Sequence, residues 1–139
     1  MEPLSINLSI VVPTFSESQN VDELLRRLEG TLGVAGWEIV FVDDDSPDGT
    51  ASLVRDIARA DRRVRCLQRI SRRGLSSACI EGMLATSAPI IAVMDADLQH
   101  DETVLPKMLA EIETGGADVV LGTRYSAGGS TGDWNESRK

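Results

Sequence analysis

Short runs rich in β-branched apolar residues alternate with segments of helical period along most of the chain, and this alternation constrains the fold more than any other feature. The apolar runs fall at residues 8–12, 38–42, 64–67, 90–94 and 118–121, and the helical segments at 21–32, 51–60, 75–86 and 104–113. Strand-helix-strand units close right-handed and set successive strands parallel, so five strands and four helices predict an α/β chain with a parallel sheet covered on both faces. Local chemistry marks the helix boundaries. Asn20 and Glu23 have the capping-box spacing, Asp48 suits the cap of the second helix, Asp101 or Thr103 that of the fourth, and Pro106 belongs in a first turn. Gly30, Gly33 and Gly36 are expected to end the first helix, and Gly115-Gly116 the fourth.

At 139 residues with 42% hydrophobic composition, the chain holds one domain with an ordinary core. Fourteen basic against 22 acidic residues leave a net charge of −8, which disfavours nucleic acid as a partner because its phosphates repel an acidic surface. The longest apolar runs, at 10–12 and 89–94, fall far short of the roughly 20 residues a membrane helix needs. Residues 1–7 lack the basic start and apolar core of a signal peptide, so a cytoplasmic chain with reduced thiols is expected. Cys66 and Cys79 are too few for a disulfide framework and their separation fits no zinc spacing, which leaves two half-buried thiols. Residues 126–139 are rich in Gly, Ser, Thr, Asp and Asn around a lone Trp134, a composition that predicts a mobile loop after a core at 1–125.

In an open parallel sheet, ligands bind outside the carboxyl ends of the strands. Those ends are polar here: Pro13-Thr14-Phe15-Ser16-Glu17 after the first strand, Asp43-Asp44-Asp45-Ser46-Pro47-Asp48-Gly49 after the second, Asp95-Ala96-Asp97-Leu98-Gln99-His100 after the fourth and Gly122-Thr123-Arg124 after the fifth. The first of these turns has no glycine, and neither GxGxxG nor GxxxxGK[ST] occurs, which disfavours dehydrogenase and P-loop readings.

Two carboxylates in Asp95-x-Asp97 repel unless a cation or hydrogen bonds compensate them. Hard oxygen donors suit Mg²⁺ or Mn²⁺, and Asp95, Asp97 and Gln99 make a partial octahedron that leaves positions for substrate phosphates, with His100 adjacent. The alternative reading has one Asp capping the next helix and the other solvated. In the second acidic run, Pro47 and Gly49 build a turn, whereas Asp44, with Asp43 beside it, suits the N–H edge of a guanine or uracil base. Arg69, Arg72 and Arg73 precede a helix start at Gly74-Leu75-Ser76-Ser77 and offer positive charge and backbone N–H groups to phosphates; a solvated basic loop is the equal alternative.

Taken in order, Val12-Pro13-Thr14-Phe15-x-Glu17, the run from Val42 to Thr50, Arg73-Gly74-Leu75-Ser76-Ser77-Ala78, the run from Met94 to His100 and Gly122-Thr123-Arg124-Tyr125 resemble family 2 glycosyltransferases of the dolichol-phosphate mannose synthase type. The resemblance covers nearly the whole chain. It implies a GT-A fold and a metal-dependent, inverting transfer of mannose from GDP-mannose to a polyprenyl (dolichyl) phosphate, at the cytoplasmic face of a membrane in the full-length protein. Matched position by position, it puts Pro13, Phe15, Glu17, Val42 and Asp44 around the nucleotide, Asp95, Asp97 and Gln99 on the metal, and Arg124 and Arg138 on the acceptor phosphate. A guanidinium fork suits a phosphate, and Arg138 follows Trp134 in a segment able to close over a site. An acceptor phosphate is already anionic at neutral pH, so the chemistry needs no strong general base.

Two departures from the family pattern stand out. Phe15-Ser16 replaces the usual Tyr-Asn, and the chain stops at Arg138-Lys139 where the family's catalytic domain continues, which predicts a truncated C-terminus. Rival readings are a UDP-glucose-type donor with a bacterial lipid phosphate, a receiver-like Mg²⁺-binding signalling domain and a binding-only module. The receiver reading needs a lysine at the last strand, where this chain has Gly122-Thr123-Arg124.

Overall fold

The computed structural model describes residues 5–123. The chain divides into two compact units, Met1–His100 and Asp101–Lys139. In the first unit, β1 (Leu8–Thr14), α1 (Val21–Leu32), β2 (Trp37–Asp43), α2 (Thr50–Ala60), β3 (Val64–Gln68), α3 (Leu75–Leu84) and β4 (Ile90–Val93) follow in order. The second opens with a 3₁₀ turn (Glu102–Val104) and α4 (Leu105–Glu113). Pro106 lies in the first turn of α4, where its missing N–H has no helical partner to lose.

The sheet runs β3-β2-β1-β4 and every pairing is parallel. Its register aligns Ile10 with Ile39, Val11 with Val40 and Val93, and Thr14 with Asp43 and through it with Gln68. The chain steps outward from β1 through β2 to β3 and then returns to the far side of β1. Right-handed crossovers therefore put α1 and α2 on one face and α3 on the other, and the direction reverses between β1 and β4. On the α3 face, Val11, Val40, Val42 and Ala78 form a buried cluster. Gly82 makes that approach possible: a Cβ there would stand 2.9 Å from Val42 Cγ2 and closer still to Val11 Cγ1.

Several sequence expectations change. Residues 118–121 form no strand, so the described sheet has four strands rather than five, and Val119 and Leu121 stay 75% and 85% exposed. An apolar run becomes a strand only where a neighbouring edge satisfies its backbone groups. Gly30 lies inside α1, which ends at Gly33 with φ 77°. The Asn20–Glu23 capping box does not form: Asn20 Nδ2 donates to Glu17 Oε2, while Arg26 and Arg27 draw the Glu23 carboxylate. Asp48 accepts from the Thr50 N–H one residue outside the cap, which Gly49 occupies at φ 83°. Asp101 caps the 3₁₀ turn through the Thr103 N–H. Cys66 and Cys79 are half-buried free thiols, as expected, and burial pushes both upward from the usual thiol range. The boundary expected after residue 125 lies outside the described residues.

Candidate active site

All four strands of the first unit end at one rim, and each is followed by one non-glycine residue with a left-handed backbone. These are Ser16 (φ 57°) after β1, Asp45 (φ 56°) after β2, Ser71 (φ 66°) after β3 and Leu98 (φ 64°) after β4. Side chains crowd the backbone in that region, at about 1–2 kcal/mol per residue, so such positions persist where surrounding bonds over-determine them. Those bonds are present. Ser16 N–H donates to Ser46 Oγ at 2.8 Å, Glu17 N–H to Thr50 Oγ1 at 3.1 Å, and Ser18 N–H and Oγ to Asp48 Oδ2. The loop after β1 is thereby stapled to the loop after β2, and Ser16 turns the chain where glycine is absent.

Asp43 and Val42, both expected around the nucleotide, have buried side chains. The fully buried Asp43 carboxylate accepts from Thr14 Oγ1 at 2.8 Å, Ser46 N–H at 2.9 Å and Ser46 Oγ at 2.6 Å. Both of its oxygens hold the loop rather than face outward. Val42 is fully buried in the α3-side cluster, as the alternation of a strand requires of every second residue. Pro13 is half-buried opposite Val42 in the register.

Asp44 is 9% exposed and engaged inside the protein. Arg69 Nε donates to its Oδ1 at 2.6 Å, and Arg69 Nη2 and the Gly74 N–H donate to its Oδ2 at 2.9 and 3.0 Å. These bonds lower its pKa, the Arg69 hydrogen bonds most strongly, against the opposing effect of burial. Arg69 itself is 1% exposed, and its remaining N–H groups reach Ser77 Oγ at 2.8 Å, Glu81 Oε2 at 2.6 Å and Gly74 O at 3.0 Å. Arg72 pairs with the same Glu81 at 2.7 Å. The basic trio therefore separates: Arg69 and Arg72 are spent on internal carboxylates, whereas Arg73 reaches the rim and lies 4.8 Å over the ring of Phe15, which is 48% exposed. Arg69 and Glu81 as partners were not legible in the sequence, where they stand 12 residues apart in different elements. The faint signal was a glutamate on a helix that otherwise buries small residues.

At the switch point between β1 and β4 the acidic groups are of a different kind. Asp97 is exposed and, among the described residues, accepts a short-range bond from the Gln99 N–H, at 3.1 Å, across the left-handed Leu98. Asp95 donates its N–H to His100 Nδ1, and its carboxylate stands 3.6 Å from His100 Nε2. Among the described residues, neither carboxylate forms an ion pair with lysine or arginine. Glu17 is raised above the usual carboxylate range by burial, with Asp97, Asp95 and Asp48 adding repulsion against the Asn20 hydrogen bond. The field of Asp95 and Asp97 thus reaches across the switch point to the loop after β1.

The donor chemistry of Asp95, Asp97 and the Gln99 amide fits a hard divalent cation. Their number does not close a site: among the described residues no three His, Cys, Asp or Glu side chains converge on one ion position. Such a partial set matches cations that take the rest of their shell from water and a phosphorylated substrate. Arg124 and Arg138 lie outside the described residues. Among the described residues no helix is long and apolar enough to cross a membrane.

Comparison with known proteins bears on this rim. The profile described as Glycosyl transferase family 2 matches residues 9–139. The chain is 39% identical to the dolichol-phosphate mannosyltransferase of Pyrococcus furiosus over 96% of its own length and 38% of that protein, and 35% identical to the Saccharomyces cerevisiae enzyme of the same name over 98% and 52%. It therefore spans about half, or less, of the length of these curated relatives. Among solved structures, a mannosyltransferase from Pyrobaculum calidifontis, determined in complex with GDP-Man and Mn²⁺, superposes with TM-score 0.58 at 25% identity, covering 69% of this chain and 31% of that one. TarS from S. aureus superposes with TM-score 0.64 at 20% identity over 87% and 40%. These likenesses establish the expected GT-A architecture.

Proposed function

Since the chain belongs to glycosyltransferase family 2, we propose that its rim is the donor site of a metal-dependent, inverting mannosyl transfer from GDP-mannose to a polyprenyl phosphate. The observation that carries the reading is the pair Asp95 and Asp97 at the switch point, which has no lysine or arginine partner among the described residues. Carboxylates two residues apart at a strand end, without a lysine or arginine partner among the described residues, are poised for an external cation.

The residues divide the work. Phe15, with Arg73 on its face, offers an aromatic platform and a positive charge to the nucleotide, and Pro13 and Glu17 flank it. Asp44 keeps one acceptor position for an N–H of the base. Asp95, Asp97 and Gln99 would hold Mg²⁺ or Mn²⁺, which when bound supplies positive charge against the diphosphate that leaves. Arg124 and Arg138 are assigned to the acceptor phosphate, whose own charge makes it the nucleophile without a strong base. The acceptor brings the reaction to a membrane surface in the whole protein.

Calorimetric titration of the chain with GDP and with UDP, in Mn²⁺ and then in chelator, tests this. The expected outcome is metal-dependent binding with preference for GDP. Preference for UDP would move the donor to the UDP-glucose class, and no binding of either nucleotide would overturn the reading.

A further inference from the structure

The Asp44–Arg69 pair joins the loop after β2 to the loop after β3 at the rim, and its geometry is more complete than an ordinary ion pair. An arginine carries five N–H donors. In Arg69 every one is used: Nε on Asp44 Oδ1, the two of Nη1 on Ser77 Oγ and Glu81 Oε2, and the two of Nη2 on Asp44 Oδ2 and Gly74 O. Ser77 Oγ in turn donates to Gly74 O at 3.2 Å. Both backbone polar groups of Gly74 are thus held, its N–H by Asp44 and its C=O by Arg69 and Ser77. Gly74 has φ 134°, a backbone state that a side chain disfavours, and it immediately follows Arg73, which lies over Phe15.

This arrangement is not what core stability alone favours. Buried ion pairs seldom stabilise more than apolar side chains of the same volume, because removing both charges from water offsets their attraction. What the network does specify is geometry. Its partners are two loops and the first two turns of α3, all at the rim, and the Val11-Val40-Val42-Ala78 cluster carries the α3 packing beneath it. A carboxylate has about four acceptor positions, and three on Asp44 are taken: one on Oδ1 and both on Oδ2. One position on Oδ1 remains, and the guanidinium fork fixes the plane in which it lies.

We propose that Arg69 is a positioning residue for base recognition: it locks Asp44 as a charged, acceptor-only group with one open position, and so selects nucleobases whose ring edge presents an N–H. Guanine and uracil present that hydrogen, whereas adenine and cytosine present a bare ring nitrogen there. The inference rests on the reading that Asp44 meets the base, and it adds the residue that makes the meeting selective.

The test is titration of GDP, UDP, ADP and CDP, in Mn²⁺, into the 139-residue chain and its Arg69→Lys and Glu81→Gln variants, with thermal melting as the control for folding. Arg69→Lys keeps the charge and loses the fork. The parent chain is expected to bind GDP or UDP about tenfold or more tighter than ADP and CDP, and Arg69→Lys to shrink that ratio to about threefold or less by weakening only the bases with a ring N–H, guanine and uracil. Glu81→Gln, which removes one supporting charge and leaves Asp44 untouched, is expected to narrow the ratio by about twofold. A uniform loss for all four nucleotides, or an unchanged ratio, in Arg69→Lys overturns the inference and leaves Arg69 a scaffold residue. If Arg69→Lys does not fold, an unchanged ratio in Glu81→Gln overturns it instead. Failure of the parent chain to bind any nucleotide removes the donor-site reading itself, and this inference with it.

Discussion

Two acidic corners of one rim behave in opposite ways. On the β2–β3 side, Asp44 and Glu81 face Arg69 and Arg72, the charges balance, and every donor of the buried guanidinium is satisfied. On the β1–β4 side, Asp95 and Asp97 have no such partner among the described residues, and Glu17 is pushed up by burial and by their field. The same residue type therefore does two jobs. Where the cation is internal, a carboxylate holds loops in place; where none is supplied among the described residues, the proposed role is to attract one from outside.

Removing the internal cation is the most severe way to break the contrast. Arg69→Met leaves Asp44 and Glu81 without their shared partner and is expected to destabilise the fold by about 3–5 kcal/mol, read as a lowered denaturant midpoint. Gly82→Ala acts on the same helix from below. A Cβ facing Val11 and Val42 must push α3 off the sheet, at about 1–3 kcal/mol, and thermal melting measures it.

The two corners also carry opposite pH signs. Asp44 is depressed from 3.8, so its contribution to stability is fully present above that pH and is lost as pH falls through the lower folded value. Glu17 is raised from 4.5, so its ionisation works against the fold, and stability is regained as pH falls from its folded value toward 4.5. Denaturant midpoints of Glu17→Gln against the parent are expected to converge between neutrality and pH 4.5. A gap that widens on acidification would contradict the sign. The smallest effect on stability belongs to Asp97→Ala, at within about 0.5 kcal/mol for an exposed side chain without an ion pair among the described residues. That variant is nonetheless expected to lose metal-dependent nucleotide binding and turnover; near-normal values in calorimetry and transfer assays would sink the metal assignment.

The periodicity of the sequence was enough for much of the fold. Residues 21–32 are helical as their spacing requires, four of the five apolar runs form strands, and the polar residues gather at the strand ends because a parallel sheet brings those ends together. The exceptions share one cause. Residues 118–121 form an apolar run but pair with no strand among the described residues, and Asn20 and Glu23 have the right spacing but find better partners in Glu17 and in Arg26 and Arg27. In each case the local pattern states what a segment is able to do, and the partners available to it decide what it does.

The amino-acid order by itself determined the strand-helix alternation, the position of each acidic group at a strand end and the proximity of Asp95, Asp97 and Gln99, since all of these are local. Only the tertiary structure decided which acids are compensated. Asp44 meets Arg69 across 25 residues and Arg69 meets Glu81 across 12, because β3 lies beside β2 and α3 returns over the sheet. Coulomb attraction depends on distance in space and is blind to distance along the chain, so the strand order selects which of the described charges neutralise one another.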